Sequence, residues 1–205
     1  YSLQNTFTTT VSNITPRSIS LSGIAVQSKI YDGTTAATLT GTATVIPFSG
    51  DSLNLGGTGS GVFDTKNVGA SKSVTLSGYS LNGTDSANYS LSTSLTGNIT
   101  AKALTVTGTT VANKVYDTTT TATLSSGSLV GVIAADAANV TLTQAGNFSD
   151  KNVGTGKAVT AANTLGGTEA VNYSITQPTG LTAGITARSL AVSGVSAQSK
   201  TYDAI

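Results

Sequence analysis

Apolar and polar residues alternate along most of this chain. In "SISLSGIAV", residues 18–26, Ile19 and Leu21 fall on one face of an extended backbone. "ALTVTG" (103–108) and "SLAVSG" (189–194) repeat that alternation, and "TLTGTATV" (38–45) and "SVTLSG" (73–78) share it. Period two with β-branched residues predicts half-buried strands. Asn82-Gly83 and Gly166-Gly167 tolerate positive φ and predict two-residue hairpin turns. Asn67-Val68-Gly69 and Asn152-Val153-Gly154 mark a second turn. No sustained helical period is present, so the pattern predicts an all-β chain.

The pattern also repeats at long range. Lys-x-Tyr-Asp recurs with Tyr31, Tyr116 and Tyr202 placed 85 and 86 residues apart. Other markers keep the same order: "VFDTKNVG" and "NFSDKNVG", "KSVTL" and "KAVTA", "LNGTDSANYSL" and "LGGTEAVNYSI", "GNIT" and "AGIT". Two full repeats are expected, at residues 16–100 and 101–186. Residues 1–15 read as the tail of a preceding repeat and 187–205 as the head of a following one, so the parent is expected to hold at least four. Each repeat should be a small antiparallel β domain of six or seven strands. An immunoglobulin-like sandwich is preferred over a β-grasp-like sheet because no helix is evident. The joints Pro16-Arg17, Ala101-Lys102 and Ala187-Arg188 leave little slack, so the domains are expected to stack end to end.

Composition narrows what these domains can be. Ser and Thr account for 64 of the 205 residues, and charged residues for 9%. Apolar content of 38% with a net charge of +1 suits folding, with small cores, rather than disorder. The chain has no Cys or His, which removes disulfides, thiolate ligands and imidazole chemistry. Each full repeat balances four basic against four acidic residues, so no basic stripe invites nucleic acid. No apolar run reaches the length of a membrane span, so no membrane insertion is expected.

The recurring aromatic residues are the structural anchors. Tyr31, Tyr116 and Tyr202 are read as core rings, with Asp32, Asp117 and Asp203 holding the turn that follows. The third position of the turn varies among Gly33, Thr118 and Ala204, so no glycine-only conformation is expected there. Lys29 and Lys114 share a strand face with the Tyr and are expected to cover a ring or pair with an Asp. Tyr89 and Tyr173, with Tyr1 as a third copy, form a second anchor, and Phe63 and Phe148 a third. Tyr79 has no aromatic counterpart and is the candidate ligand contact.

The other chemistries weaken on inspection. Acids recur at Asp32, Asp51 and Asp85 against Asp117, Asp136 and Glu169. Asp64 and Asp150 are offset by one place, which in a strand would turn the side chain to the other face. Solvated charges, or partners such as Lys66 and Lys151, are expected, and not acid–base catalysis. No catalytic residues, no cofactor and no metal site are predicted. "GGTGSG" (56–61) lacks the Asp of a calcium nonapeptide and the Gly-Lys-Ser/Thr of a phosphate loop. Sequons begin at Asn13, Asn82, Asn88, Asn98, Asn139, Asn147 and Asn172, as a Ser/Thr-rich chain produces readily. A Lys–Asn cross-link beside an acid would draw on Lys29, Asn88 and Asp85, or Lys114, Asn172 and Glu169.

Taken together, "KIYDGTT", "FDTKNVG", "LNGTDSANYSL" and "NIT" resemble the YDG-type repeat of bacterial surface proteins, related to the MBG repeats. The naming Gly is replaced by Thr118 and Ala204 in the later copies. The resemblance implies the shaft of a filamentous-haemagglutinin-like adhesin, secreted or displayed at the bacterial cell surface, in adhesion or biofilm. It implies no enzyme activity. Its expected partners are neighbouring repeats of the same chain. Direct glycan or matrix-polymer binding and self-association into filaments are the rival readings.

Overall fold

A computed structural model describes residues 13–204. Tyr1, the third Asn-Tyr-type anchor, and most of the preceding repeat's tail lie outside the described residues. The fold is all-β, interrupted by short 3-10 helices at Ser86–Asn88, Ala134–Asn139 and Ala170–Asn172. Contacts divide the chain into two compact units. The first runs to Lys102 and takes in Val171–Tyr173; the second holds Ala103–Ala170 and the residues from Ser174 onward.

The first repeat contains β1 (Arg17–Ser20), β2 (Ser22–Val26), β3 (Lys29–Ile30), β4 (Ala36–Ala37) and β5 (Leu39–Thr44). These are followed by β6 (Asn54–Phe63), β7 (Gly69–Asn82), β8 (Tyr89–Ser92) and β9 (Ser94–Thr100). One five-stranded sheet has the order β3-β9-β7-β6-β4, and the remaining strands form the ladders β2-β5 and β1-β8. The expected strand at residues 18–26 breaks at Leu21, and its halves pair in different ladders. The sheets are not purely antiparallel. β1 runs parallel to β8 (Ile19↔Leu91) and β3 parallel to β9 (Lys29↔Ile99).

The alternation of apolar residues sets the core. Val74 and Leu76 point inward from β7 and Ile99 from β9, with Phe63 closing the end of β6. Burying side chains of this size contributes about 1.5–3 kcal/mol each relative to exposure, against the entropy of ordering the chain.

The second repeat follows the same plan with shorter strands. They are β10 (Lys102–Thr107), β11 (Thr110–Val111), β12 (Lys114–Val115), β13 (Thr121–Ala122), β14 (Leu124–Ser125) and β15 (Ser128–Val130). Then come β16 (Thr141–Thr143), β17 (Gly146–Phe148), β18 (Gly154–Ala161), β19 (Thr164–Gly166), β20 (Tyr173–Thr176) and β21 (Leu181–Thr186). Its five-stranded sheet reads β12-β21-β18-β17-β13, with β12 again parallel to β21 (Lys114↔Ile185). Phe148, Val159, Ala161, Ala183 and Ile185 form the core, with Ala122 and Leu124 beside them.

The turn at Asn67-Val68-Gly69 joins the antiparallel pair β6 and β7, and its counterpart joins β17 and β18. Asn82-Gly83 does not make the expected hairpin. The chain leaves β7, passes through the 3-10 turn and enters β8, which pairs with β1 instead. Gly83 is needed for a different reason. Its φ is +116° and a Cβ there would collide with the Ser52 carbonyl. Gly167 stands in the same relation to the Asn139 carbonyl, at φ +96°.

Candidate functional site

The repeated Tyr-Asp string occupies the place where each five-stranded sheet closes on itself. β3 and β4 are the two opposite edges of the first sheet, yet only residues 31–35 separate them. The sheet must therefore curl until its edges meet. Tyr31 N–H donates to the Thr100 carbonyl (2.8 Å) and Phe63 N–H to the Thr35 carbonyl (2.8 Å), extending both edge ladders into the turn. Tyr116 N–H and Phe148 N–H repeat the arrangement on the Thr186 and Thr120 carbonyls, at 2.9 and 2.7 Å.

A lysine clasps the closure. Lys29 Nζ donates to Asp32 Oδ1 (2.8 Å), the Thr34 carbonyl (2.8 Å), Thr34 Oγ1 (3.1 Å) and, on the far edge, the Ala36 carbonyl (2.9 Å). The ammonium also lies 5.6 Å above the Phe63 ring. Lys114 makes the same contacts with Asp117, Thr119 and Thr121, at 2.8 to 3.1 Å, and lies 5.7 Å above Phe148. An ammonium needs acceptors when it leaves water, and this turn supplies them. Lys29 and Lys114 thus pair with an Asp and cover the ring of the Phe anchor, not that of the Tyr on their own strand. With its oxygen partners drawn from Asp32, Thr34 and Ala36, Lys29 is not poised against Asn88 for an amide cross-link.

The Asp fixes the turn itself. Asp32 Oδ1 accepts from Thr34 N–H and Thr34 Oγ1, both at 2.9 Å, and Asp117 Oδ1 does the same with Thr119 at 2.9 and 2.8 Å. Burial opposes ionisation of Asp32, but Lys29 and the Thr34 donors outweigh it and hold the carboxyl below its ordinary range. Asp117, hydrogen-bonded first by Lys114 and then by Thr119, is lowered to about 2.

The third position of the turn is left-handed in every copy, contrary to the sequence expectation. φ is +78° at Gly33, +73° at Thr118 and +57° at Ala204. Asp32 and Asp117 each close an Asx turn onto the amide two residues on, and here the intervening residue takes the positive-φ form of that turn. Side-chain variety at this position therefore reflects tolerated strain and not an ordinary backbone.

The aromatic anchors differ in burial. Tyr31, Phe63, Phe148, Tyr89 and Tyr173 are all buried, and Tyr116 is partly buried. Tyr202 departs from the core reading. It is 91% exposed among the described residues. Lys200 still reaches Asp203 (2.7 Å), so the ionic half of the motif forms locally without the core.

In the first unit Tyr31 meets Tyr173 edge-on, with centroids 5.4 Å apart and planes at 79°, and Lys66 Nζ lies 5.7 Å over the Tyr31 ring. Beside them Val68 N–H donates to Asn172 Oδ1 (2.9 Å) and Asn172 Nδ2 to Asn67 Oδ1 (3.2 Å). Asn172 is fully buried, which closes its sequon in the folded state. Tyr89 donates its hydroxyl to Asp51 Oδ2 (2.5 Å) and accepts from Phe48 N–H (3.0 Å), and the carboxylate beside it raises the phenol's pKa.

The offset acids share one role. Asp64 pairs with Lys72 (2.8 Å) and Asp150 with Lys157 (2.6 Å), and not with Lys66 or Lys151. Both acids sit in the loop after the β6-type strand, where the two-residue facing rule of a strand does not apply. Asp136 is not a solvated charge either, since it is buried at 1% exposure. Tyr79 is half-buried, its ring laid against Gly59 beside a groove of about 360 Å³ that includes Ile24, Leu39 and Leu55. Among the described residues no set of three His, Cys, Asp or Glu side chains gathers to hold a metal.

The YDG-domain family model matches twice, over residues 15–97 and 100–180. The chain belongs to the YDG-domain family. No curated protein and no solved structure matches it. The matches begin close to the repeat boundaries, and the motif that names the domain is the clasped turn described above. The YDG glycine, present at Gly33, occupies the left-handed third position of that turn.

Proposed function

We propose that this chain is a load-bearing segment of the shaft of a bacterial surface or secreted adhesin, serving adhesion or a biofilm matrix through reach and strength. One observation carries the reading. In each YDG domain the strand bearing the clasp is hydrogen-bonded in parallel to the domain's last strand, β3 with β9 and β12 with β21. The first strand of the first domain, β1, is likewise parallel to β8. Tension that draws the two ends of such a domain apart slides these pairs lengthwise, so their hydrogen bonds are loaded together. An antiparallel hairpin opened from its ends loses its rungs one at a time. The Lys29 and Lys114 clasps tie the opposite edge of each sheet to the strained pair. Even charge balance and Ser/Thr-rich strand faces suit long exposure to solvent.

Single-molecule pulling through the two termini tests the reading. Each domain is expected to yield in a separate event, at a force well above that of hairpin unzipping. Yielding at hairpin forces would reject a load-bearing role.

The groove beside Tyr79 supports a second reading, in which the first YDG domain binds a glycan or matrix polymer directly. A half-buried ring flanked by glycines offers a flat stacking surface. Saturable glycan binding that disappears in Tyr79→Ala would favour it, and a blank glycan array would remove it.

A further inference from the structure

The chain contains one Asn-Gly pair, Asn82-Gly83. Asn82 is the last residue of β7 and the end rung of its ladder with β6, opposite Asn54. Both residues of the pair are exposed. Among the described residues the Gly83 N–H donates to no acceptor, and the Asn82 carboxamide makes no hydrogen bond. The carboxamide lies across Gly56, which has no side chain to hold it in place.

Neighbouring asparagines lack this combination. Asn98 accepts from the Ser71 N–H (2.8 Å), and β-branched Ile99 crowds the amide that follows it. Asn88 is followed by Tyr89, whose ring is buried. In the second repeat the matching pair is Gly166-Gly167. It keeps the positive φ at its second residue but has no carboxamide.

We propose that Asn82 is a site of slow self-modification, in which its carboxamide is lost to the backbone nitrogen of Gly83 with water as co-reactant. Solvent base takes the Gly83 amide proton, and the nitrogen attacks Asn82 Cγ. The new N–Cγ bond closes a five-membered imide, the Cγ–Nδ2 bond breaks, and Nδ2 leaves as ammonia with a proton from solvent. Water then opens the imide at either carbonyl, and the ring nitrogen regains its proton. The products at residue 82 are aspartate and isoaspartate; one water is consumed, one ammonia released, and nothing is oxidised or reduced. A free amide and an unanchored carboxamide are what the first step needs, since a hydrogen bond to either would oppose it.

The position gives the change a structural consequence. Just beyond it the loop is tied to Ser52: Ser52 N–H donates to Asp85 Oδ2 (2.8 Å), and Asp85 N–H to the Ser52 carbonyl (3.3 Å). Isoaspartate inserts a methylene into the main chain directly before this tie, and either product adds a negative charge close in sequence to Asp85. The chain would thus carry a mark of its age in the first domain. This inference rests on neither the shaft nor the glycan reading.

The test follows the folded chain over time in mildly alkaline buffer made with oxygen-18 water. Trypsin releases residues 73–102 as one peptide holding Asn82, Asn88 and Asn98, and fragmentation assigns the mass change among them. A gain of three mass units should accumulate at Asn82, several-fold faster than at Asn88 or Asn98. In the isoaspartate-bearing fraction the Ser52 amide should exchange several-fold faster with deuterium. An Asn82 that stays unmodified in the folded chain while reacting in guanidinium would show that the fold protects it, and would overturn the proposal. So would modification spread evenly over the three asparagines. An unchanged Ser52 amide would reject the loosening of the tie.

Discussion

At the scale of single residues, the YDG turn shows why a glycine names the domain and how two copies manage without one. A left-handed backbone costs a non-glycine residue about 1–2 kcal/mol, and a β-branched residue is the least suited to it. Thr118 holds φ +73° because Asp117 accepts from Thr119 on one side and Lys114 ties the turn across the sheet on the other. Gly33→Thr is therefore expected to lower the stability of the first domain by about 1–2 kcal/mol. Thr118→Gly should raise the second by up to about 1 kcal/mol, reduced by the greater unfolded-state freedom of glycine. Denaturant titration of the two variants measures both. The same carboxylates set an acid limit. Asp117 falls from an ordinary 3.8 to about 2 on folding, so its contribution is complete above pH ~4 and is lost as the pH falls through about 2. Asp32, Asp64 and Asp150 are lowered in the same direction. Thermal melts should therefore fall on acidification below pH ~4, and Asp117→Asn should flatten that fall for the second domain while lowering its plateau at neutral pH.

At the scale of strands and turns, the closure of the sheet determines which aromatic ring matters most. Phe148 is the fully enclosed ring of the second domain, capped by the Lys114 ammonium, while Tyr116 packs against the core only from its margin. Phe148→Ala is thus expected to cost about 3–5 kcal/mol, and Tyr116→Ala clearly less. Chemical denaturation of the two variants side by side gives the ordering, and equal losses would contradict it. This ordering was not legible in the alternation of apolar residues, which treats the three aromatic anchors alike. Period two revealed Val74, Leu76, Leu104 and Val106 as inward-facing, because facing is a local property of an extended chain. It did not reveal that β1 and β3 pair in parallel, because pairing partners 70 residues apart leave no trace in local spacing. The clasp was half legible: Lys, Tyr and Asp were visible as a recurring set, but the role of Lys29 in bridging two sheet edges required the curl of the sheet. Asn82-Gly83 looked like a hairpin because the dipeptide signals positive φ alone; what demands it here is the approach of the Ser52 carbonyl.

At the scale of the whole chain, the sequence repeat and the compact unit are not the same object. The repeat boundary falls near residue 101, yet Val171–Tyr173 belong by contact to the unit that ends at Lys102. The segment is held by chemistry that a repeat count does not reveal. Asn172 is fully buried and bonded to Val68 and Asn67, whereas Asn88, at the same point of its own repeat, is exposed. The same Asn-Tyr pair is thus held by Asn67 and Val68 at Asn172 and stands exposed at Asn88. The consequence is measurable far from the change in sequence. Asn172→Ala leaves the Val68 amide without its acceptor and opens a gap beside Tyr173, a loss of about 1–3 kcal/mol. That loss should register in the first unit. In amide hydrogen exchange, Val68 should lose its protection while the amides of Phe148 and Val159, deep in the second core, change little. Asn88→Ala, removing an exposed side chain, should alter neither. Were Asn172→Ala to leave Val68 protected and loosen only its own neighbours in sequence, the first unit would have to be redrawn to end at its repeat boundary.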